Sequence, residues 1–525
     1  MKGSDLFVKA LLNEDVKHIF GIPGEENIDL LDSIANSNID FILTRHEQGA
    51  AFMADAYARV KKRPGVCLST LGPGATNLLT GVANAHLDKV PLIAITAQAP
   101  RDRLHKESHQ NVDTLALFSG VTKYNRAILV PESIPEIVRK AFAMSMKETR
   151  GASHIQLPED IGKLETVSEK MIPIPDEAIF ESNVSIIKKA AEEINRAKNP
   201  IILAGNGVVR FSVWNSVKEF VHETNVPIVT TFMAKGIVPY DDQANFFVVG
   251  GRPYPNKLRP LINSDLIIAI GFDMVEYDPV IWNKDSSRRI INISMTQAEV
   301  DEHFPVSYDM VGDMEFSLKT LAKHVHRREI SREYKDIRQR RKEYIESPGE
   351  GKEALAKEII KQLNELSTEN TLLISDVGLH KVWISRFYHP KSPDRTIIYN
   401  GFASMGGALP ASIGAKVAND KLSVVSVSGD GGFLMNVQEL ETAKRLGLKF
   451  TCVIFNDCTL SLIEKHQIDA GLKPNYIHFT NPDFNLLAKS FACNYFLSTD
   501  GESFKKAYEE AEKSEGVSLI EVAFQ

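Results

Sequence analysis

The stretch from residue 423 to residue 467 constrains the fold most, because its pattern is that of one complete strand–helix–strand unit. A β-branched run, Val424–Val427, leads into Gly429-Asp430-Gly431-Gly432, and Phe450–Phe455 is a second strand-like run. Between the runs, apolar residues recur at helical spacing: Leu434, Val437, Leu440, Ala443 and Leu446. A right-handed crossover makes two such strands parallel, so the loops at their carboxyl ends lie at the same sheet edge. We therefore expect Asp430 to lie close to Asp457.

The glycines and the acids of this unit suit a metal-bound diphosphate. Gly429, Gly431 and Gly432 have no Cβ atom, so backbone N–H groups can approach an anion closely there. Asp430 and Asp457 offer carboxylate oxygens, the hard ligands that Mg²⁺ prefers. A tight turn followed by an ordinary strand exit would also explain each segment on its own. The pairing of the two segments favours the metal site.

The segment from Gly429 to Asp457 resembles the thiamine diphosphate motif. It has the Gly-Asp-Gly, an intervening stretch from 432 to 455, and a residue pair that is usually Asn-Asn. The resemblance implies that thiamine diphosphate is the cofactor and that Asp430, Asp457 and the carbonyl of Thr459 bind Mg²⁺. Asp457 replaces the usual asparagine, as in catabolic acetolactate synthases, and its extra negative charge should tighten metal binding.

Strand-like apolar runs alternate with helical patterns along most of the chain, which is typical of α/β domains with parallel sheets. A chain of 525 residues is too long for one core, and two to four domains are expected. Polar stretches after residue 160 and from 324 to 352 have linker composition. We predict three doubly wound parallel-sheet domains of the thiamine diphosphate-binding fold: a pyrimidine-binding domain at 1–165, a central Rossmann-like domain at 185–325 and a diphosphate-binding domain at 353–525.

Glu47 stands where the second strand-like run gives way to a helix. An acid in the first turn of a helix complements the helix dipole, so the position alone permits a structural role. The resemblance favours catalysis, because thiamine diphosphate enzymes carry a glutamate in a His-Glu-x-x-Ala-Ala context, here His46 to Ala51. A buried carboxyl can exchange the proton that the aminopyrimidine ring of the cofactor must lose and regain. Glu47 is therefore the candidate catalytic acid.

Further pocket residues follow from the resemblance to other loops of the same family. Gln110 would contact substrate and is a candidate catalytic residue, whereas a solvated loop would also explain the polar segment around it. Met405 matches the bulky residue that supports the bent cofactor, although methionine is more often core filler. Leu379 departs from a frequent glutamine of the diphosphate loop. The predicted cofactor-binding residues are Pro23, Gly24, Asn77, Val377, Gly378, His380, Ser404, Met405, Gly429, Asp430, Gly431 and Gly432.

The central domain resembles that of relatives without FAD. Its Gly205-Asn206-Gly207 sequence is too incomplete for a dinucleotide-binding fingerprint. Residues 271 to 279 lack the Arg-Phe-Asp-Asp-Arg run of FAD-bearing biosynthetic synthases and resemble the catabolic type. We expect a structural domain and no FAD.

Net charge and hydropathy argue against several functions. The net charge of −7 disfavours a nucleic-acid surface, and no apolar run is long enough to span a membrane. The first residues do not form a signal peptide, and the four cysteines are scattered, as reduced thiols of a cytoplasmic protein are. We expect a cytoplasmic protein without nucleic-acid or membrane partners.

The resemblance as a whole implies condensation of two pyruvate molecules to 2-acetolactate with release of CO₂, as in catabolic, FAD-independent acetolactate synthases. Two alternatives stay open: a non-oxidative 2-oxo acid decarboxylase, with His109 as a proton donor, and a non-catalytic relative that acts as a binding subunit. Glu47, Asp430 and Asp457 argue against the non-catalytic relative. Sites of this family lie between subunits, which implies a homodimer as the minimal active unit and a homotetramer as the assembly.

Overall fold

The structure is a computed structural model that describes residues 1–176, 178–250 and 259–524. Its strands form three six-stranded sheets, and every neighbouring strand pair in them is parallel. Alternate residues of the inner strands are buried on opposite faces: Val66 and Leu68 pack into one apolar cluster, and Cys67 packs into another. Burial on both faces requires helices on both faces. The predicted fold class is confirmed.

The first sheet has the strand order β2-β1-β3-β4-β6-β5. Its strands are β1 (His18–Gly21), β2 (Asp40–Leu43), β3 (Gly65–Ser69), β4 (Leu92–Gln98), β5 (Tyr124–Ala127) and β6 (Ala152–Pro158). Its helices are α1 (Gly3–Asn13), α2 (Ile28–Ala35), α3 (Glu47–Lys61), α4 (Pro73–Leu87), α5 (Thr114–Phe118), α6 (Ile134–Met146) and α7 (Glu159–Lys163).

The second sheet has the order β12-β11-β10-β7-β8-β9, the doubly wound order of dinucleotide-binding folds. Its strands are β7 (Pro200–Ala204), β8 (Ile228–Thr230), β9 (Asn245–Val248), β10 (Leu266–Ile270), β11 (Arg289–Ser294) and β12 (Val306–Val311). Its helices are α8 (Val184–Arg196), α9 (Asn206–Arg210), α10 (Trp214–Thr224) and α11 (Met314–Ala322).

Helix α12 (Arg332–Glu346) links the second sheet to the third. The charged sequence predicts a solvated linker helix, but one side of α12 is buried. Tyr334 and Ile337 pack into the apolar cluster of the second sheet, and Ile345 packs into a cluster of the third. The linker therefore also contributes apolar contacts to both units.

The third sheet has the order β14-β13-β15-β16-β18-β17, which repeats the order of the first sheet. Its strands are β13 (Thr371–Ser375), β14 (Thr396–Ile398), β15 (Ser423–Gly429), β16 (Phe450–Asn456), β17 (Asn494–Ser498) and β18 (Val517–Ala523). Its helices are α13 (Lys352–Leu366), α14 (Leu379–Phe387), α15 (Ala408–Ala418), α16 (Asp430–Met435), α17 (Glu439–Arg445), α18 (Ser461–Asp469), α19 (Phe484–Ser490) and α20 (Gly501–Lys513).

Helices α3 and α15 join the first unit to the third, and they pack directly against each other. Both are rich in small residues, which lets their backbones approach closely. A Cβ atom built on Gly414 of α15 would lie 2.0 Å from the carbonyl oxygen of Met53 on α3. This contact requires glycine.

One helix prediction is wrong in detail. The sequence predicts a single helix from Leu434 through Leu446, whereas the chain forms α16 and α17 with a break at Asn436–Gln438. Asn436 is buried in the break, and its side-chain amide donates to the carbonyl of Gly406 at 2.7 Å. This long-range hydrogen bond competes with the continuous helix that local spacing favours.

Two further observations concern membrane-spanning helices and the cysteines. In the parts of the chain that the structure describes, no helix is both long and apolar enough to cross a membrane. Cys67, Cys452, Cys458 and Cys493 are free, and only Cys458 is exposed.

Candidate active site

The loops after β15 and β16 bring Asp430 and Asp457 to one edge of the third sheet. These strands are neighbours, with Gly429 in register with Phe455. One carboxylate oxygen of Asp430 accepts from the backbone N–H of Cys458, and Asn481 donates to the same oxygen, each at 2.7 Å. The two loops therefore lie together, as the sequence predicts.

Charge accumulates at this edge. Burial raises the pKa of Asp430, hydrogen bonds from Asn481, Gly431 and Cys458 oppose the rise, and the nearby charge of Asp457 adds to it. A bound cation would stabilise the ionised form of Asp430 and offset the unfavourable effects of burial and of the neighbouring acid. No cluster of three acidic, histidine or cysteine ligands exists among the described residues, so a metal here needs backbone and non-protein oxygens as well.

Asp457 is held by three donors. Its Oδ1 accepts from the backbone N–H of Thr459 at 3.2 Å, and its Oδ2 accepts from Lys352 Nζ at 2.8 Å and from the hydroxyl of Ser461. Lys352 comes from the beginning of α13, far from Asp457 in sequence.

A cavity of about 190 Å³ lies at this edge, and glycine-rich loops form much of its wall. Most of the predicted cofactor and metal residues of the third unit line it: Val377, Gly378, His380, Met405, Gly429, Asp430, Gly431, Gly432, Asp457 and Thr459. Ser404 is not part of the lining, and its hydroxyl donates to the carbonyl of Met405 at 3.3 Å. The lining drawn from the described residues includes no residue of the first unit.

His380 offers an unused nitrogen to this cavity. Burial lowers the pKa of His380 to about 4, so the ring is neutral at physiological pH. Its Nε2 is buried without a hydrogen-bond partner among the described residues. Buried polar atoms are nearly always hydrogen-bonded, so this nitrogen indicates a ligand or water that is bound in the cavity, and the glycine cradle fits an anion such as a diphosphate.

Asp376, which sequence reasoning missed, fixes the position of the loop that carries Met405. The Asp376 side chain is fully buried and accepts from Val377 N–H at 2.8 Å and from Gly406 N–H at 3.0 Å. Burial raises its pKa to about 6. A Cβ atom on Gly432 would lie 2.6 Å from an oxygen of Asp376, so the close approach of the two loops requires glycine.

The first unit forms a second polar edge around Glu47. His46 caps α3, accepting from Gln48 N–H at 3.1 Å, and this cap sets Glu47 in the first helical turn. Glu47 is 8% exposed, and its Oε2 accepts from the side-chain amide of Asn77 at 3.0 Å. A Cβ atom on Gly74 would lie 3.2 Å from the other oxygen of Glu47.

The remaining predicted residues of the first unit surround this edge. Gly72, at a φ of 51°, packs against the backbone of Gln110, so the loop of Gln110 borders the turn that precedes α4, the helix that carries Asn77. A Cβ atom on Gly24 would lie 2.3 Å from Thr70, which places this glycine at the same edge. Pro23 precedes it and is exposed.

Glu439 joins the third unit to the first unit within one chain. It is fully buried on α17, and its carboxylate accepts from the backbone N–H groups of Arg45 and His46 at 3.0 to 3.3 Å. Burial raises the pKa of Glu439 to about 7. The third unit thus holds the backbone that immediately precedes Glu47.

Known protein families match both the region around Glu47 and the region around Asp430 and Asp457. The family described as thiamine pyrophosphate enzyme matches with its N-terminal TPP binding domain at residues 1–117, its central domain at 187–321 and its C-terminal TPP binding domain at 376–522. The chain is 34% identical over 545 residues to the probable acetolactate synthase large subunit of Methanocaldococcus jannaschii, across 99% of this chain and 92% of that protein. The chain belongs to the acetolactate synthase family of thiamine pyrophosphate enzymes. It is also 32% identical to the acetolactate synthase of Bacillus subtilis (99% of this chain, 93% of that protein) and 31% identical to the catabolic acetolactate synthase of Raoultella terrigena (99% and 94%).

The resemblance stated from motifs is thereby confirmed for this acetolactate synthase family member. Its N-terminal TPP binding domain contains Glu47, Asn77 and Gln110, and its C-terminal TPP binding domain contains Asp430 and Asp457. The roles of these individual residues stay predictions.

Sequence reasoning missed Asp376, Glu439, Asn481 and Lys352. Each acts through a partner far away in the chain, and local patterns do not report such contacts. Lys352 alone leaves a local signal. A cation in the first turn of a helix opposes the helix dipole, so a lysine at that position indicates a compensating partner.

Proposed function

We propose that the protein condenses two molecules of pyruvate to 2-acetolactate with release of CO₂, using thiamine diphosphate and Mg²⁺. The observation that carries the proposal is the cavity in which Asp430, Asp457 and the unpartnered nitrogen of His380 line the same glycine-rich edge. The relatives named acetolactate synthase, which match almost the entire chain, supply the choice of reaction.

The third unit would hold the cofactor. Asp430, Asp457 and the carbonyl of Thr459 would bind Mg²⁺, and the loops around Gly378 and Gly429 would take the diphosphate, with His380 beside it in the cavity wall. The half-buried Met405, on a loop fixed by Asp376, would support the bent form of the cofactor. Bound thiamine diphosphate supplies the electron sink for decarboxylation and carbon–carbon bond formation.

Glu47 would hold and exchange a proton at one carboxyl oxygen. Asn77 donates to Oε2, so it fixes the orientation of the carboxyl and leaves Oε1, beside Gly74, for a ring nitrogen. A carboxyl that is 8% exposed exchanges its proton with the partner it touches more readily than with bulk water. Gln110, on the adjoining loop, would contact pyruvate.

The reaction test uses purified protein with pyruvate, thiamine diphosphate and Mg²⁺. We expect acetolactate as the main product. Acetaldehyde as the main product would favour the simple decarboxylase instead, and the absence of any turnover with bound cofactor would favour a non-catalytic subunit.

We also propose that the active site is shared between two chains, with a homodimer as the minimal active unit and a homotetramer as the assembly. The cavity lining from the third unit includes no described residue of the first unit of the same chain, so Glu47 would reach the cofactor bound by the partner. Coexpression of Glu47→Ala and Asp430→Ala chains tests this sharing. A mixed dimer would combine both changes in one site and leave the other intact, so activity should return. Verified mixed dimers that are as inactive as both parents would contradict independent shared sites.

The central unit, we propose, binds no FAD. Dinucleotides bind this fold where the strand order reverses, between β7 and β10, with phosphate at the helix N-terminus. At that position Oε2 of the buried Glu276 accepts from Asn206 N–H at 2.9 Å, and a Cβ atom on Gly205 would lie 2.7 Å from the same oxygen. The Glu276 carboxyl group occupies the backbone donor and the space that a phosphate would need. A fluorescence titration with FAD should show no saturable binding, and stoichiometric binding would contradict the proposal.

Domain boundaries near 1–165, 185–325 and 353–525 and a cytoplasmic location are part of the same proposal. The connections between the sheets support the boundaries, since α7 ends at Lys163, α8 begins at Val184 and α13 begins at Lys352.

A further inference from the structure

Lys352 lies directly on a residue that the proposed function assigns to the metal. Its Nζ donates to Asp457 Oδ2 at 2.8 Å and to the hydroxyl of Ser461 at 2.9 Å. The Asp457 side chain is 13% exposed and that of Lys352 is 35% exposed, so water screens this ion pair only partly.

The chain positions Lys352 at some conformational cost. The residue opens α13, where the positive end of the helix dipole disfavours a cation. The turn before it uses Gly349 at a φ of 74° and Gly351 at a φ of 54°, both in the left-handed region that favours glycine. Lys357, one turn further along α13, donates to the carbonyls of Tyr344 and Ser347 and so fixes the entry to this turn.

The charges explain why a lysine stands there. Asp430 and Asp457 together bring two negative charges, whereas the motif that this segment resembles has one aspartate and a neutral asparagine. An ammonium on Asp457 restores the net charge of that usual pair. It uses one oxygen of Asp457, and a carboxylate has lone pairs to spare for a metal.

We propose that Lys352 is the resident counter-ion of Asp457 and that the two residues act as one unit, equal in charge to the neutral ligand of related sites. Lys352 is a positioning residue in this scheme. It sets the metal affinity through Asp457, so the extra acid by itself does not tighten the site.

This inference rests on the proposed metal site, and a double-mutant cycle tests it by calorimetric titration of Mg²⁺ in the presence of thiamine diphosphate. Asp457→Asn leaves the ammonium unbalanced beside the metal, so we expect about tenfold weaker Mg²⁺ binding. Lys352→Met leaves the extra carboxylate unbalanced, and we expect Mg²⁺ binding that is several times tighter. The double variant, Lys352→Met with Asp457→Asn, should return to within about twofold of the parent.

Three controls separate this scheme from a structural role. Lys352→Arg keeps the charge and should bind Mg²⁺ like the parent. Lys465→Met removes an equal charge from the surface of α18, where Lys465 pairs with Asp469 at 3.5 Å, and should change Mg²⁺ affinity less than twofold. Thermal unfolding of each variant without metal reports any general loss of stability.

Two results would overturn the inference, and a third concerns the metal site itself. If Asp457→Asn and the double variant bind Mg²⁺ equally weakly, removal of the ammonium does not compensate for loss of the Asp457 charge, and the charge-balance proposal fails. If Lys352→Met weakens binding in both backgrounds by the same factor, Lys352 acts on the fold alone. If Asp430→Ala binds Mg²⁺ as the parent does, the proposed metal site is wrong. Loss of binding in Asp430→Ala together with Lys352→Met binding that is no tighter than that of the parent leaves the site intact and rejects only the charge pairing.

Discussion

The first and third sheets share one strand order and differ in what their loops carry. Loops at the same topological positions, after the first four strands of each sheet, hold the candidate site residues: Gly24, Glu47, Asn77 and Gln110 in the first unit, and Gly378, Met405, Asp430 and Asp457 in the third. The first set has one acid, bonded to a neutral amide, whereas the third has two acids among glycine loops beside a buried Asp376. A common scaffold thus sets where the loops lie, and the side chains decide between proton exchange and cation binding.

Replacement of the acid in the first unit should have the largest effect. Glu47→Gln keeps the shape and the contact to Asn77 but cannot exchange a proton, so kcat should fall about 1,000-fold. Cofactor binding should be nearly unchanged, because in the proposed scheme the third unit would hold the diphosphate and the metal. Steady-state kinetics together with calorimetry check both halves of the prediction. Near-normal turnover would remove Glu47 from the mechanism.

Replacement of an acid in the third unit should instead weaken cofactor binding. Asp430→Ala should weaken binding of Mg²⁺ and thiamine diphosphate together, by about 100-fold, since Asp430 would hold the metal on which diphosphate binding depends. The Glu47→Gln variant is the matched control in the same titration. Equal cofactor affinity in Asp430→Ala and Glu47→Gln would contradict the assignment of metal and diphosphate binding to the third unit.

The contact between equivalent helices can be broken separately. Gly414→Ala places a methyl group 2.0 Å from the carbonyl oxygen of Met53, so it should lower the free energy of unfolding by about 2 kcal/mol. Gly120→Ala is the control, because no atom lies within 4 Å of a Cβ built there. Urea denaturation compares the two. Equal stabilities would show that α3 and α15 can separate without cost.

The smallest effect concerns Glu439, which joins the third unit to the first unit. Burial raises the pKa of Glu439 to about 7 in the folded chain, whereas in the unfolded chain the carboxyl ionises near its ordinary pKa of 4.5. Between these values the folded protein binds more protons, so this group makes stability fall as pH rises. Glutamine does not titrate, so in Glu439→Gln the free energy of unfolding should fall by about 1 to 3 kcal/mol less as the pH rises. Urea denaturation at pH 5 and pH 8 measures the change, and parallel pH profiles would contradict it.

Most of the fold follows from local patterns. The apolar runs that become β1, β3, β4, β7, β10, β13 and β15 are buried on both faces, and such strands are easily recognised. The paired strand exits also predicted that the loops of Asp430 and Asp457 meet. The order of strands and the break between α16 and α17 could not be predicted, because they depend on contacts such as that of Asn436 with Gly406.

The site was predictable to the extent that its residues occur in motifs. Glu47, Asp430 and Asp457 are conspicuous by context, and resemblance supplied Asn77 and His380. The residues that orient them are ordinary in local sequence. Glu439 follows a broken helix, and Asn481 stands in an irregular segment, so only the folded chain gives them partners.

The hydrogen bonds by which Asp376 holds two loops of the cavity together affect the rate of ligand binding. Its oxygens already bind the N–H groups of Val377 and Gly406, so the loops on either side of the cavity are ordered before any ligand arrives. A ligand that meets ordered loops loses little free energy in arranging them. Its association rate should then depend on diffusion and charge, and its residence time on the contacts it makes after entry.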